Sequence, residues 1–139
     1  MHSNKWPIRI PVLLSIALFF FSSRILAMVY FQAHRGAVDE APENTLAALR
    51  HAWSVPGAIP EIDLRTTKDG VIICIHDTSL TRTTNAPPSI RHKNIKQITY
   101  SQIKELDAGS YFAPQFKNER IPTIDQVLTV LASRKDALI

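Results

Sequence analysis

Short apolar runs and two helical repeats organise the chain beyond residue 27. Residues 29–33 (Val-Tyr-Phe-Gln-Ala) are rich in β-formers and predict a buried strand that ends at His34-Arg35-Gly36-Ala37, with Gly36 marking a turn. Pro42-Glu43-Asn44-Thr45 predicts a helix start, because Asn44 or Thr45 can cap free backbone N–H groups. Leu46, Leu49, Ala52 and Trp53 follow at helical spacing, and Pro56-Gly57 ends the repeat. Two strands are expected at about 60–66 and 71–76, on either side of Lys68-Asp69-Gly70. From residue 77 to about 120 the pattern is irregular, with Pro87-Pro88 and one short helix expected at about 101–106. A segment that long between regular elements is more often functional than idle. Ile121-Pro122-Thr123 then opens a last helix carrying Ile124, Val127, Leu128 and Leu131, and Ala137-Leu138-Ile139 reads as the beginning of another strand. Strand, helix, strand, hairpin, long segment, helix and strand is the opening of a βαβ array, an α/β fold.

Asp-Gly between apolar runs favours a two-residue hairpin turn, since both positions tolerate positive φ. With Asp69-Gly70 as that turn, Asp63 is expected opposite His76 and Arg65 opposite Cys74. Alternation then puts Glu61, Asp63 and Arg65 on one face, joined by His76, and Ile62, Leu64, Ile73 and Ile75 on the other.

Composition narrows the reading without deciding it. Apolar content of 45% with 20% charged residues is ordinary for a globular chain, which argues against disorder. The net charge of +4 suggests a nucleic-acid partner until the charges are mapped. Lys5, Arg9 and Arg24 lie in the leading segment and every acidic residue lies beyond it, leaving 13 cations against 12 acids. That near-neutral body has no footprint for a phosphate polymer, so no nucleic acid is expected. Residues 1–27 combine two cations, an apolar stretch at about 10–21 and a small residue, Ala27, as a secretory signal does. The same segment would serve as a membrane anchor if uncleaved, allowing membrane association through residues 10–27. The expected location is therefore exported (periplasmic or extracellular) or membrane-anchored, and cytoplasmic if translation starts at Met28. The single cysteine, Cys74, excludes an intrachain disulfide and reads as a small core residue.

Two carboxylates two residues apart in an apolar strand, Glu61 and Asp63, need a cation if they are buried. Arg65 or a metal would serve, and oxygen-only ligands favour Mg²⁺ or Ca²⁺. A solvated polar face explains the same spacing. His34 ends the first strand beside Arg35, whose guanidinium fork suits a phosphate, and Gly36 lets backbone approach. With His76 it offers two imidazoles that titrate near neutral pH, a base and an acid for a phosphodiester. His2, His51 and His92 have no such setting.

Together these residues resemble the glycerophosphodiester phosphodiesterase family. The resemblance rests on His34-Arg35-Gly36, Pro42-Glu43-Asn44-Thr45, Glu61-x-Asp63-x-Arg65, Thr67-Lys68-Asp69-Gly70, His76-Asp77, Leu80-x-Arg82-Thr83-Thr84, Leu106-Asp107-Ala108-Gly109-Ser110 and Ile121-Pro122-Thr123, in that order and at compatible spacing. It implies the N-terminal part of a TIM (β/α)₈ barrel that hydrolyses glycerophosphodiesters to sn-glycerol 3-phosphate and an alcohol. It further implies His34 and His76 as the catalytic pair, Arg35 on the substrate phosphate, and Glu61 and Asp63 on one divalent cation, Ca²⁺ or Mg²⁺. Residues 28–139 would be the barrel portion and about 77–120 an insertion over its mouth. The family's third metal carboxylate comes from the strand after the Ile-Pro-Thr helix, so the 139-residue chain alone is expected to bind metal poorly and turn over little. A lysophospholipase D or another lipid phosphodiesterase would share these motifs. A silent, truncated barrel acting as a binding protein is the reading from a different class.

Overall fold

The structure is a computed structural model that describes residues 29–134 and 138–139. The leading segment assigned to export or anchoring lies outside the described residues, as do residues 135–137. Among the described residues no helix is long and apolar enough to cross a membrane.

The first unit is βαβ. Strand β1 (Phe31–Ala33) leads through a 3₁₀ turn at His34–Gly36 into helix α1 (Leu46–Ala52), and strand β2 (Ala58–Pro60) returns parallel to β1 with Phe31 beside Ala58 and Ala33 beside Pro60. Thr45 caps α1 by accepting the Ala48 N–H on its hydroxyl at 3.3 Å. Asn44 is not the cap: it takes a left-handed φ of 57° and turns its amide elsewhere.

The expected strand at 60–66 is two pieces. After β2 the Glu61 N–H still reaches the Ala33 carbonyl at 2.9 Å, but the Asp63 N–H goes to the Asn44 side-chain oxygen, also at 2.9 Å. That diversion ends the pairing with β1. Strand β3 (Leu64–Thr66) then pairs antiparallel with β4 (Ile72–Cys74).

The hairpin register differs by one residue from the expected one. Leu64 lies opposite Cys74 and Arg65 opposite Ile73, and the Ile75 N–H bonds the Asp63 carbonyl, so Asp63 faces Ile75 rather than His76. A two-residue type I′ turn needs positive φ at both positions. Here Gly70 has a φ of 84° and Asp69 is not left-handed, so the connection is the three-residue kind. The cause is local. The Asp69 carboxylate accepts the Thr67 hydroxyl at 2.6 Å and the Tyr100 N–H at 3.0 Å, which holds Asp69 inside the turn.

This register also redistributes the apolar side chains. Ile73 and Ile75 pack with Leu80, Ile90, Ile95 and Ile98 in a core built mainly by residues 80–108, whereas Cys74 packs with Leu49 and Val127, against which Ile62 also rests. At Ile73 and Cys74 both faces of β4 are buried, whereas Leu64 and Ile72 are exposed. The single apolar face expected for the hairpin does not exist. Cys74 is a core residue as its setting suggested, and burial pushes its thiol up to about 12.

Residues 77–120 contain more regular structure than their pattern implied. Helices α2 (Pro88–Arg91) and α3 (Tyr100–Ile103) have a 3₁₀ turn at Ile95–Gln97 between them, and another at Pro114–Phe116 follows. Each is a single turn, too short for a helical period to show in the sequence. Helix α4 (Ile124–Ala132) starts at a capping box of Thr123 and Gln126, and the Pro122 carbonyl accepts the Cys74 N–H, tying this start to the free edge of β4. Leu138 and Ile139 are not in a strand; the Leu138 carbonyl accepts the Trp53 indole N–H at 2.8 Å.

Asp107 is the hub of the last part of the long segment. Its buried carboxylate accepts the N–H groups of Gly109, Ser110 and Asn118 at 2.7–2.9 Å and the Ser110 hydroxyl at 2.9 Å. Burial pushes this carboxyl up, but the donors outweigh it and hold it well below the usual range. Asp107→Ala leaves three backbone donors without their acceptor and is expected to cost about 3 kcal/mol in urea unfolding, with Ser110→Ala costing about 1 kcal/mol.

Candidate active site

The site grows from the turn after β1. Arg35 has left-handed φ and ψ of 50° and 34°, unusual for a side-chain-bearing residue. Its N–H is directed at the Glu61 Oε2, 2.9 Å away, and its carbonyl accepts the Asn44 N–H at 2.9 Å. Gly36 follows with a φ of 93°, so close to α1 that a Cβ there would lie 2.8 Å from that of Ala48. The turn is thus pressed onto the helix start, and two left-handed residues, Arg35 and Asn44, sit against the two carboxylates. Strain of this kind collects at functional sites.

Asn44 closes a two-point contact with Asp63, donating Nδ2–H to Oδ2 at 3.0 Å and accepting the Asp63 N–H on Oδ1. The Arg35 guanidinium donates through Nη1 to Glu43 Oε1 at 3.0 Å, and its Nε lies 3.5 Å from Asp63 Oδ2. The second contact is an ion pair without a hydrogen bond, and Arg35 Nε is buried with no acceptor among the described residues. A buried donor without a hydrogen bond is uncommon, and here the Asp63 carboxylate offsets it through charge alone.

Glu43 is the residue that the sequence reading left without a role. It is buried, with a side chain only 6% exposed, and lies between two guanidiniums. Arg82 holds it bidentately, Nη1 to Oε2 at 2.6 Å and Nη2 to Oε1 at 2.8 Å, and reaches Asp77 with Nε at 3.0 Å and Nη2 at 2.9 Å. Asp77 Oδ1 lies 2.8 Å from His76 Nδ1. The Glu43 N–H donates to the Tyr111 hydroxyl at 3.0 Å. Asp63, Arg35, Glu43, Arg82, Asp77 and His76 therefore form one chain of alternating charge. Pro-Glu-Asn-Thr at a helix start and Arg-Thr-Thr after His-Asp were the visible signals; the pairing of Glu43 with Arg82, 39 residues apart, was not.

Of the residues singled out from sequence, Arg35, Glu61 and Asp63 come together, with His34 exposed on the same turn. His76 joins them only through the ion-pair chain, not as a cross-strand neighbour of Asp63. Arg65, one candidate for neutralising the carboxylates, instead gives Nε at 2.7 Å and an Nη donor to the His76 carbonyl. Arg35 takes that part.

The donor set suits a hard divalent cation. Glu61 and Asp63 are half-buried and each uses one oxygen in the contacts above; Glu61 Oε1 and Asp63 Oδ1 make no hydrogen bond among the described residues. Among the described residues no three His, Cys, Asp or Glu side chains converge on one point, so this pair could by itself supply only part of a coordination shell.

Hydrogen bonds from Arg82, and then from His76, hold the Asp77 carboxyl down to about 2 from the ordinary 3.8, against burial. Burial pushes Glu43 up, but Arg82 and Arg35 outweigh it and the net shift is downward. A depressed folded-state value stabilises fully above the unfolded value and is lost as pH falls through the folded one. Urea unfolding is therefore expected to show stability falling from about pH 4 toward pH 2, with a shallower fall in Arg82→Met; equal slopes would contradict the ion-pair chain.

The sequence model of the glycerophosphoryl diester phosphodiesterase family matches residues 34–139. A glycerophosphodiester phosphodiesterase of Caldanaerobacter subterraneus is 40% identical over 107 residues, covering 77% of this chain and 42% of its own length. The crystal structure of a glycerophosphodiester phosphodiesterase from Agrobacterium tumefaciens superposes with a TM-score of 0.69 at 38% identity, over 76% of this chain and 44% of that one. A phosphodiesterase of Oleispira antarctica, solved with its product sn-glycerol-3-phosphate, does so with a TM-score of 0.68 at 34% identity, over 76% and 41%. The chain spans about two fifths of the length of the curated relatives it matches. Its βαβ start and hairpin are thus part of a (β/α)₈ barrel of the phosphodiesterase type. The chain belongs to the glycerophosphoryl diester phosphodiesterase family.

Proposed function

We propose that this chain serves the metal-dependent hydrolysis of glycerophosphodiesters to sn-glycerol 3-phosphate and an alcohol. The observation that carries the reading is the Arg35 guanidinium, whose Nη2 makes no hydrogen bond among the described residues while the carboxylates of Glu61 and Asp63 beside it each keep an oxygen free. That is a place for a phosphate oxygen next to a place for a divalent cation. The Oleispira relative, whose structure holds sn-glycerol-3-phosphate, supports the choice of product.

In this reading Arg35 binds and orients the phosphate through its unpartnered Nη2, with Glu43 fixing Nη1 of the guanidinium. Glu61 and Asp63 hold a Ca²⁺ or Mg²⁺, which when bound neutralises phosphate charge and lowers the pKa of a neighbouring hydroxyl. Of the two imidazoles, His34 and His76, one accepts the proton of the attacking glycerol hydroxyl and the other protonates the leaving alkoxide; water then opens the resulting cyclic phosphodiester to sn-glycerol 3-phosphate, with the proton roles reversed. His34 is exposed at the end of β1, as solvent and substrate access require. The carboxyl ends of barrel strands are where such sites form, and both His34 and Glu61 directly follow β1 and β2. In this reading the segment at about 77–120, which contacts Glu43 through Arg82 and Tyr111, selects the leaving alcohol.

With glycerophosphocholine as substrate and the full-length protein, His34→Ala and His76→Ala are each expected to lower turnover at least about 100-fold. Unchanged turnover in both variants would remove the mechanism. A chelator is expected to abolish activity and either Ca²⁺ or Mg²⁺ to restore it, whereas Glu61→Gln with Asp63→Asn is not restored. Release of lysophosphatidate from a lysophospholipid faster than release of glycerol 3-phosphate would favour the lipid phosphodiesterase reading. The leading segment is proposed to direct export or anchoring, and the N-terminus of the mature protein decides it; a cytosolic protein beginning at Met1 would sink that proposal.

A further inference from the structure

Arg82 differs from Arg35 in how its donors are used. A guanidinium has five N–H donors. Four of those on Arg82 are engaged at 2.6–3.0 Å, two with Glu43 and two with Asp77, each carboxylate receiving a bidentate grip. Arg35 engages one side-chain donor, Nη1 on Glu43, among the described residues. Arg82 is thus committed to protein partners, and its two partners lead in opposite directions. Through Glu43 it reaches Arg35 and the turn after β1; through Asp77 it reaches the His76 ring.

Resting on the assignment of His76 as a proton-transfer group, we propose that Arg82 is a positioning residue, locking the His76 imidazole through Asp77 and, through Glu43, fixing its place relative to Arg35.

The chemistry follows from the acceptor-only nature of a carboxylate. Asp77 can face His76 Nδ1 only if that nitrogen carries the proton, so Nε2 of the neutral ring is left bare for substrate. Asp77 alone would be a poor anchor. It neighbours His76 in sequence, it is partly exposed, and its χ1 rotation would carry the carboxylate away from the ring. Two bonds from Arg82 remove that freedom. Arg82 in turn is partly exposed, with 44% of its side chain accessible, and takes its fixed position from buried Glu43. The His76 carbonyl is held separately by Arg65, so backbone and ring are restrained from two sides. Lysine cannot replace Arg82, because one ammonium group cannot present parallel donors to two carboxylates.

The test uses the full-length protein labelled with ¹⁵N-histidine, with the His76 signals assigned by their loss in His76→Gln. At neutral pH the wild-type ring is expected as a single tautomer, protonated at Nδ1. Arg82→Gln and Arg82→Lys should both give a mixture of tautomers, and hydrolysis of glycerophosphocholine should fall on the order of 100-fold in kcat with KM little changed. Should Arg82→Gln fail to fold, Arg82→Lys retains the charge and carries the test. A single unchanged tautomer in the folded variant overturns the proposal, even if activity falls. A tautomer mixture in the variants of a protein that hydrolyses no glycerophosphodiester would sink the functional reading and leave the role of Arg82 standing.

Discussion

A carboxylate with little access to water, gripped by two guanidiniums, is the constraint on which the rest of this arrangement depends. Glu43 buried alone would be costly; between Arg35 and Arg82 its charge is matched twice and both oxygens are satisfied. The pairing does more than neutralise. Arg35 belongs to the turn after β1 and Arg82 to the long segment after the hairpin, so Glu43 fastens together two parts of the chain that share no backbone ladder. Asp63, Asp77 and His76 take their positions from the two ends of that fastening.

The barrel start was legible because its signals are local. A β-rich run, a turn glycine, a capping threonine and apolar residues at helical spacing lie within one unit, and β1 and α1 follow from them, although β1, expected to be buried, is exposed at Phe31 and Gln32 and β2 begins at Ala58, before the strand expected at 60–66. The hairpin was only partly legible. Asp69-Gly70 marked the turn, but its length was decided by the carboxylate of Asp69 reaching Thr67 and a residue 31 positions away, Tyr100. Sequence periodicity sees neither contact. The one-residue change in register carried every face assignment with it, as strand alternation requires.

The site was legible in its residue types and less so in its connections. Arg35, Glu61 and Asp63 were named from the residue pattern and meet in the fold. His76 was placed beside Asp63 by the wrong register and reaches it through four other side chains. Glu43 and Arg82 lay inside motifs read as a helix start and as a family signature, and nothing in their own neighbourhood shows that one is buried and held by the other. Long-range ion pairs leave no periodic trace in a sequence, whereas caps and turns do.

Cys74 carries a consequence of its own. Its thiol, at the last residue of β4, is packed against Leu49 and Val127, and burial both pushes its pKa up to about 12 and shields it from alkylating reagents while the strand is in place. Reaction therefore requires β4 to part from its neighbours. As the sole sulfhydryl in the sequence, it is a built-in clock for hairpin opening: the rate at which it is modified counts those excursions, with no added label and no background from other thiols.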